Sequence, residues 1–251
     1  MKARVIAHKG DIQHAPESTQ AAFQSAIEKG ADAIEFDVHL TADEQLVVHH
    51  DYYLGRTEDA AGTIADFSLA ELKQLDIGSW FGSDFAAERM LTLHEVLELG
   101  QRKIHFEIDM RTPSLKLLSL IWDELIHFGV KANVELTSVH TPLLMRAKQI
   151  DLTVATGVFF SPLPEWMTVE LGRDHILGWM KLMEAQVAHL PAALLDKPFI
   201  DMLHDHRFLV HGANLNTIPA IENGLMVGIN QFSTDILDLA IEVNNSYDRS
   251  E

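Results

Sequence analysis

Residues 33–51 read Ala33-Ile34-Glu35-Phe36-Asp37-Val38-His39-Leu40, then Thr41-Ala42-Asp43-Glu44-Gln45, then Leu46-Val47-Val48-His49-His50-Asp51. Both apolar arms have the short, β-branched character of strands. Only about five residues separate them, whereas a parallel crossover needs a dozen or more. Thr41–Gln45 is therefore expected to be a turn, and Leu46–His49 the returning arm of a hairpin above the strand Ala33–Leu40. That decision sets the strand count. With the hairpin arm set aside, eight strands remain: Arg4–Ala7, Ala33–Leu40, Lys103–Ile108, Val134–Val139, Leu152–Val158, Gln186–Leu190, Phe208–Gly212 and Val227–Phe232.

Helical patterns fill the intervals. Ser18 is placed to cap a helix burying Ala22, Phe23, Ala26 and Ile27, with Gly30 at its end. Ser68 with Glu71, and Thr92 with Glu95, have capping-box spacing. The second of these helices stops at Gly100. Thr112-Pro113 opens Leu115–Phe128, which ends at Gly129, and Thr141-Pro142 opens the next. Trp166–Glu184, Asp196–His206, Ile218–Asn223 (ending at Gly224) and Ile236–Val243 complete the series. Strand–helix alternation implies a parallel sheet, and eight units in 251 residues suit a closed α/β TIM (β/α)8 barrel. The expectation is a single domain over residues 1–251, with the hairpin and a small insertion at roughly 41–90 after the second strand.

The formal net charge is −18, from 19 basic and 37 acidic residues. That argues against a nucleic-acid partner, which needs a basic footprint, and against an anionic membrane surface. An anionic substrate would need a local cation to overcome the bulk field. No run approaches 18 apolar residues, so no membrane span is expected. The apolar run in Met1–His8 is too short for a signal peptide, which makes the cytoplasm the expected compartment. With no cysteine, thiolate metal sites and a cysteine nucleophile are excluded. Asp, Glu and the 14 histidines are left as candidate ligands.

Barrel enzymes carry their chemistry at the C-terminal ends of the strands. Those ends supply His8, Glu35 and Asp37, then Glu107 and Asp109, and the hairpin adds His49 and His50. Glu35 and Asp37 are two apart on one strand and share a face; Glu107 and Asp109 repeat the spacing. Their neighbours Ile34, Phe36, Phe106 and Ile108 are apolar and pack outward, so the acids point into the barrel. Clustered interior carboxylates cost several kcal/mol each unless paired or bound to a cation. Ion pairs at the barrel rim are the plainer use of one such pair. Two pairs on separate strands favour an oxygen-liganded ion: Mg²⁺, Ca²⁺ or Mn²⁺. His8 and one of His49 and His50 suit proton transfer near neutral pH. Strand facing alone leaves the choice between the last two open.

These residues resemble the glycerophosphodiester phosphodiesterase family in its bacterial cytoplasmic type. Its pattern of His-Arg-Gly, Pro-Glu-Asn-Thr, Glu-Leu-Asp-Val, His-Asp and Glu-Ile-Lys reads here His8-Lys9-Gly10, Pro16-Glu17-Ser18-Thr19, Glu35-Phe36-Asp37-Val38, His50-Asp51 and Glu107-Ile108-Asp109. Ser233-Thr234-Asp235 resembles the closing Thr-Asp. The match is dense over the first 75 residues and thins after Ser138. The resemblance implies a TIM barrel with an insertion after the second strand. It implies Glu35, Asp37 and Glu107 as ligands of a divalent cation (Mg²⁺ or Ca²⁺, with Mn²⁺ a further candidate), and His8 and His50 as the acid–base pair. The implied reaction is hydrolysis of a small glycerophosphodiester to sn-glycerol 3-phosphate and an alcohol, with His50 expected as the acid on the leaving group.

Three positions depart from the family pattern. Lys9 replaces Arg, keeping charge on the phosphate but losing the bidentate fork. Ala213 stands where the family has a tryptophan. Asp109 replaces a lysine, a two-unit change of charge; at about 5 Å and an effective dielectric of about 20, one unit pair is worth roughly 3 kcal/mol. Asp109 is expected to pair with Lys9, to act as an additional metal ligand, or to mark a diverged or decayed site. Two alternatives follow. One is a sphingomyelinase D-like transfer giving a cyclic phosphate, with Phe67, Trp80, Phe81, Phe85 and Met90 as an apolar mouth. The other is a non-catalytic barrel that binds a phosphate ester.

Overall fold

The computed structural model describes residues 2–100 and 103–247. The elements run β1 (Arg4–His8), α1 (Gln20–Glu28), β2 (Ala33–Leu40), β3 (Leu46–Val48), β4 (Tyr53–Leu54), β5 (Gly62–Thr63), α2 (Leu69–Leu72), α3 (Leu93–Gly100), β6 (His105–Met110), α4 (Leu115–Phe128), β7 (Val134–Thr137), α5 (Thr141–Ile150), β8 (Ala155–Phe159), α6 (Val169–Leu182), β9 (Val187–Pro191), α7 (Lys197–Asp205), β10 (Leu209–Ala213), α8 (Ile218–Val227), β11 (Gln231–Thr234) and α9 (Leu237–Ser246). Parallel pairing passes from β1 through β2, β6, β7, β8, β9, β10 and β11, and back to β1. The chain is therefore a closed eight-stranded parallel barrel with helices between its strands.

The hairpin forms because β2 is too long for the barrel. Ala33–Val38 pair with β6, and Val38–Leu40 run on past the rim. There they take β3 antiparallel, with Val38 opposite Val48 and Leu40 opposite Leu46. From β3 the chain enters an insertion with its own small core of Val47, Leu54, Ile64, Leu72, Ile77 and Met90. Both capping boxes form: Ser68 and Glu71 satisfy each other's backbone N–H groups, as do Thr92 and Glu95.

Apolar packing assigns the two faces of the sheet. Phe36 lies between Phe23 of α1 and Phe106 of β6, at ring-centroid distances of 5.8 and 6.2 Å. Ile34 and Ile108 are fully buried in the same outer layer. The intervening residues of β2 and β6 face the barrel axis.

Several boundaries differ from the sequence reading, three of them near residues used above. The first helix is capped by Thr19, whose Oγ1 accepts from Ala22 N at 3.2 Å; Ser18 precedes it with φ +57°. The strand placed at Lys103–Ile108 begins at His105, so Asp109 lies within the strand. The helix expected to stop at Gly224 continues to Val227 and is closed by left-handed Gly228, which moves the last strand to Gln231–Thr234. Gly224 serves packing rather than termination: a Cβ there would stand 2.7 Å from Ile229 Cδ1.

Candidate active site

A cavity of about 210 Å³ at the C-terminal ends of the strands is lined by His8, Glu35, Asp37, His50, Glu107, Asp109 and Arg111, with Val139, Phe159, His189, Ala213, Asn214 and Ser233 closing the other side. A larger cavity of about 480 Å³ lies at the other end of the barrel. Among the described residues its one carboxylate, Asp32, is committed to the Val5 N–H, so the smaller cavity is the one in which described acids and histidines converge.

The β2–β6 register makes the acid cluster. Glu35 stands beside Glu107 and Asp37 beside Asp109, one pair above the other on the inner face. All four are at least 94% buried. Burial, then repulsion from Glu107 and Asp109, pushes Glu35 well above the carboxylate range. Burial and Glu35 do the same to Asp37. Burial lifts Glu107 to about 8 and also raises Asp109, against the pull of Arg111. Among the described residues, Asp37 Oδ2, Glu107 Oε2 and Asp109 Oδ1 are buried without a hydrogen-bond partner, although His211 Nδ1 lies 3.3 Å from Glu107 Oε2. Orphaned anionic oxygens converging on one cavity suit a divalent cation.

The expected ligands Glu35, Asp37 and Glu107 share this cavity. Asp37 Oδ1 also lies 2.9 Å from Arg111 Nε. Among the described residues, Glu107, His189 and His211, all buried, offer ligand atoms within 4.8 Å of one another, a composition that fits a divalent metal. The sequence reading gave His189 and His211 no role. They belong to a polar layer under the acids. His189 Nε2 lies 2.6 Å from Glu135 Oε1, Gln231 donates to Glu135 Oε2 at 2.8 Å, and the two imidazoles stack at 3.9 Å. Gly157 makes room for this layer, since a Cβ there would overlap both Glu135 Oε1 and His189 Nε2. Gly157→Ala should therefore destabilise the protein by about 1–3 kcal/mol, read by urea unfolding. A change under about 0.5 kcal/mol would mean that the layer yields freely.

The two histidines have matching surroundings. His8 Nδ1 lies 2.7 Å from Asp235 Oδ1, and Asp235 is itself held by the Asn216 amide at 2.5 Å. With the carboxylate accepting, Nδ1 carries the proton and Nε2 is left for the cavity. His50 Nδ1 lies 2.8 Å from Asp51 Oδ1 in the same manner. Burial, then Lys9 and Arg111, outweigh Asp51 and hold His50 below the ordinary histidine range. His49 turns away from the cavity and is buried, with Nε2 on Glu58 at 2.7 Å and Nδ1 on the Asp51 carbonyl at 2.9 Å.

Lys9 does not line the cavity. Its Nζ contacts Glu17 at 3.4 Å, and its backbone N–H donates to Glu35 Oε2 at 3.1 Å. Glu17 also takes both terminal nitrogens of Arg56, whose Nε reaches Asp51 at 2.5 Å. Burial alone would raise Glu17, but Arg56 and Lys9 hold it below the usual range. The chain Lys9–Glu17–Arg56–Asp51 thus ties the first loop to the segment that carries His50.

The cation on Asp109 is Arg111, at 3.3 Å, and not Lys9. Arg111 was missed in the sequence because it lies one residue beyond β6. The signal was present, since Glu107, Asp109 and Arg111 continue a period of two. Asp235 was quoted only as part of a tail motif, although its contact supports His8. The five residues offered as an apolar mouth do not line the cavity. Met90 is fully buried in the insertion's core, and Phe81 meets Trp80 and Phe85 edge to face.

A family model described as the glycerophosphoryl diester phosphodiesterase family matches residues 8–156. A glycerophosphodiester phosphodiesterase of Caldanaerobacter subterraneus subsp. tengcongensis is 50% identical over 113 residues, 45% of this chain and 46% of that protein. The chain thus matches under half the length of that relative, whereas a glycerophosphodiester phosphodiesterase of Bacillus altitudinis is 28% identical over 96% of this chain and 97% of its own length. Among solved structures, an Oleispira antarctica phosphodiesterase in complex with the product sn-glycerol-3-phosphate is similar at a TM-score of 0.87 and 25% identity, covering 98% of both chains.

Proposed function

The chain belongs to the glycerophosphoryl diester phosphodiesterase family, and from that premise we propose that it hydrolyses small glycerophosphodiesters to sn-glycerol 3-phosphate and an alcohol. The carrying observation is that two histidines, each oriented by a carboxylate, face one cavity with four buried acids. Glu35, Asp37 and Glu107 would hold the divalent cation, Mg²⁺ or Ca²⁺ by the hardness of their oxygens, with Mn²⁺ admitted by the neighbouring imidazoles. Bound there, such an ion supplies Lewis-acid stabilisation of charge on a phosphoryl oxygen.

The chain's own groups move the protons. His50, held below the usual histidine range by burial, is unprotonated at neutral pH and suits the base that takes the proton of the attacking water. His8, backed by Asp235, then protonates the leaving alkoxide as the phosphorus–oxygen bond breaks. This exchanges the roles expected from sequence, because burial and two nearby cations disfavour the charged form of His50. The apolar side formed by Val139, Phe159 and Ala213 is left for the alcohol.

The test is release of glycerol 3-phosphate from glycerophosphocholine, glycerophosphoethanolamine and glycerophosphoglycerol with Mg²⁺, Ca²⁺ and Mn²⁺ in turn. Release from at least one supports the reading; none from any combination overturns it. Phosphorus NMR of the products distinguishes a cyclic phosphate, the outcome of internal transfer. Asp235→Asn should lower kcat by about 10–10³-fold with little change in KM, since the amide no longer fixes the His8 tautomer. Unchanged kcat would remove His8 from the chemistry. No described helix is long and apolar enough to cross a membrane; a cytoplasmic setting is part of this proposal and is read by cell fractionation.

A further inference from the structure

The geometry points to Arg111 as the residue that grips the substrate phosphate in this chain, oriented for that task by Asp37, Asp109 and the His50 carbonyl. This deepens the hydrolase reading and rests on it for the identity of the ligand. Arg111 follows β6 directly, and its N–H donates to Val38 O at 3.0 Å, so the strand register is kept. Its side chain joins Glu107 and Asp109 on the inner face. Its own carbonyl is held by Tyr52 Oη at 3.1 Å and by His140 Nε2 at 3.0 Å. The backbone at this position is thereby anchored to the rim.

The guanidinium is anchored as firmly. Nε lies 2.9 Å from Asp37 Oδ1 and 3.3 Å from His50 O; Nη2 donates to His50 O at 3.1 Å and Nη1 to Asp109 Oδ2 at 3.3 Å. Tyr52 covers the group, with Cζ 5.6 Å from the ring centroid. A guanidinium has five N–H bonds, one on Nε and two on each terminal nitrogen. The contacts use the Nε hydrogen and one on each terminal nitrogen. One N–H on Nη1 and one on Nη2 are left without a partner among the described residues, on a side chain that lines the cavity and is 16% exposed. Two N–H groups on a rigid plane match two oxygens of a phosphate, which a lysine ammonium cannot do.

Charge makes the same choice. Lys9 contacts Glu17 and is not among the lining residues, so Arg111 is the permanent cation among the described lining residues. Asp109, which reverses charge relative to the family's lysine, thus comes with a guanidinium two residues on. The carboxylate holds that guanidinium by Nη1 and competes with the phosphate for its charge. Asp109 is therefore a positioning residue with a measurable sign: it fixes the fork but weakens its attraction for an anion.

The experiment is calorimetric titration of glycerol 3-phosphate into the Mg²⁺-loaded enzyme. It is paired with NMR of the arginine Nε–H signals, with Arg111 assigned by its loss in Arg111→Lys. Binding should weaken about 30–100-fold in Arg111→Ala and about tenfold in Arg111→Lys, and should tighten a few-fold in Asp109→Asn. In the wild type the Arg111 signal should shift on addition of ligand. A purely structural arginine predicts no shift, and would have Asp109→Asn weaken binding. An Arg111→Lys protein that binds within twofold of wild type, or a wild-type Arg111 signal unmoved at saturation, overturns the proposal. The wild-type NMR arm needs no variant to fold beyond the one used for assignment. An enzyme that releases no glycerol 3-phosphate from any diester, yet shifts Arg111 with inorganic phosphate, refutes the hydrolase reading and leaves the phosphate grip standing.

Discussion

Replacing His50 by alanine should lower kcat by about 10²–10⁴-fold while leaving the divalent-ion affinity within about twofold of wild type, the range for one positioned proton transfer. The split follows from the geometry: His50 faces the cavity and is held through Asp51, but it is not one of the carboxylates on which the cation reading depends. The pH profile carries the sign. A base must be unprotonated, so at saturating divalent ion kcat/KM should fall as pH drops through a value below the ordinary histidine pKa of 6.5. Asp51→Asn removes a group that favours the charged ring, so the acid limb should move lower still. His8→Ala should match the loss in kcat. An acid limb that stays in place in Asp51→Asn, or a His50→Ala enzyme with more than about a tenth of wild-type kcat, would take His50 out of the base role.

Stripped of divalent ions, the protein should lose several kcal/mol of stability between pH 6.5 and pH 8, and a saturating divalent ion should restore it. Burial raises the pKa of Glu107 in the folded protein to about 8 from the ordinary glutamate value of 4.5. A group raised in this way contributes stability that is complete below its unfolded pKa and is lost as pH rises through the folded one. At about 1.4 kcal/mol per unit, Glu107 alone could account for about 5 kcal/mol as an upper bound. Glu35, Asp37 and Asp109 are shifted in the same direction.

The depressed carboxyls Glu17, Asp51, Asp11 and Asp235 act in the opposite sense: their contribution is present above the unfolded pKa and is lost only as pH falls below it. Between pH 5 and 6.5 the buried histidines His39 and His211, held down to about 3 and about 4, also lose stability as pH falls and oppose the raised acids; above pH 6.5 that opposition ends. His49, raised through Glu58 against its own burial, adds to the same slope above its unfolded pKa, and Glu107→Gln separates the two. An ion bound only by the folded state at a hundred times its Kd returns about 2.7 kcal/mol, and its affinity should strengthen as pH rises toward 8 and the proton leaves Glu107. Urea unfolding in chelator at pH 5, 6.5 and 8, repeated with Ca²⁺, reads both effects. A stability in chelator that is flat or rising between pH 6.5 and pH 8 would contradict the buried-acid account.

The barrel was legible because its causes are local. The five-residue turn at Thr41–Gln45 forces a hairpin, and the apolar alternation around Glu35, Asp37, Glu107 and Asp109 turns those acids inward. Period-two facing on adjacent parallel strands left little freedom to place them elsewhere. Where the reading slipped, the deciding contact was one of side-chain packing or pairing that local propensity does not show. Gly224 looked like a helix stop, but it accommodates Ile229. Lys9 looked like the phosphate cation, but Glu17 holds it and Arg111 faces the cavity.

From sequence alone came the strand count, the inward-facing acids and the two histidines, because side-chain facing and turn length depend on neighbours within a few residues. Strand facing left the adjacent histidines open and the resemblance pointed to His50; only the tertiary structure decided that Asp235 backs His8 from 227 residues away, and that His189, His211 and Arg111 surround the acids. Those outcomes depend on closing the barrel. Closure brings β1 against β11 and places charges from remote strands in one poorly solvated space, where partner choice is set by distance and burial rather than by order along the chain.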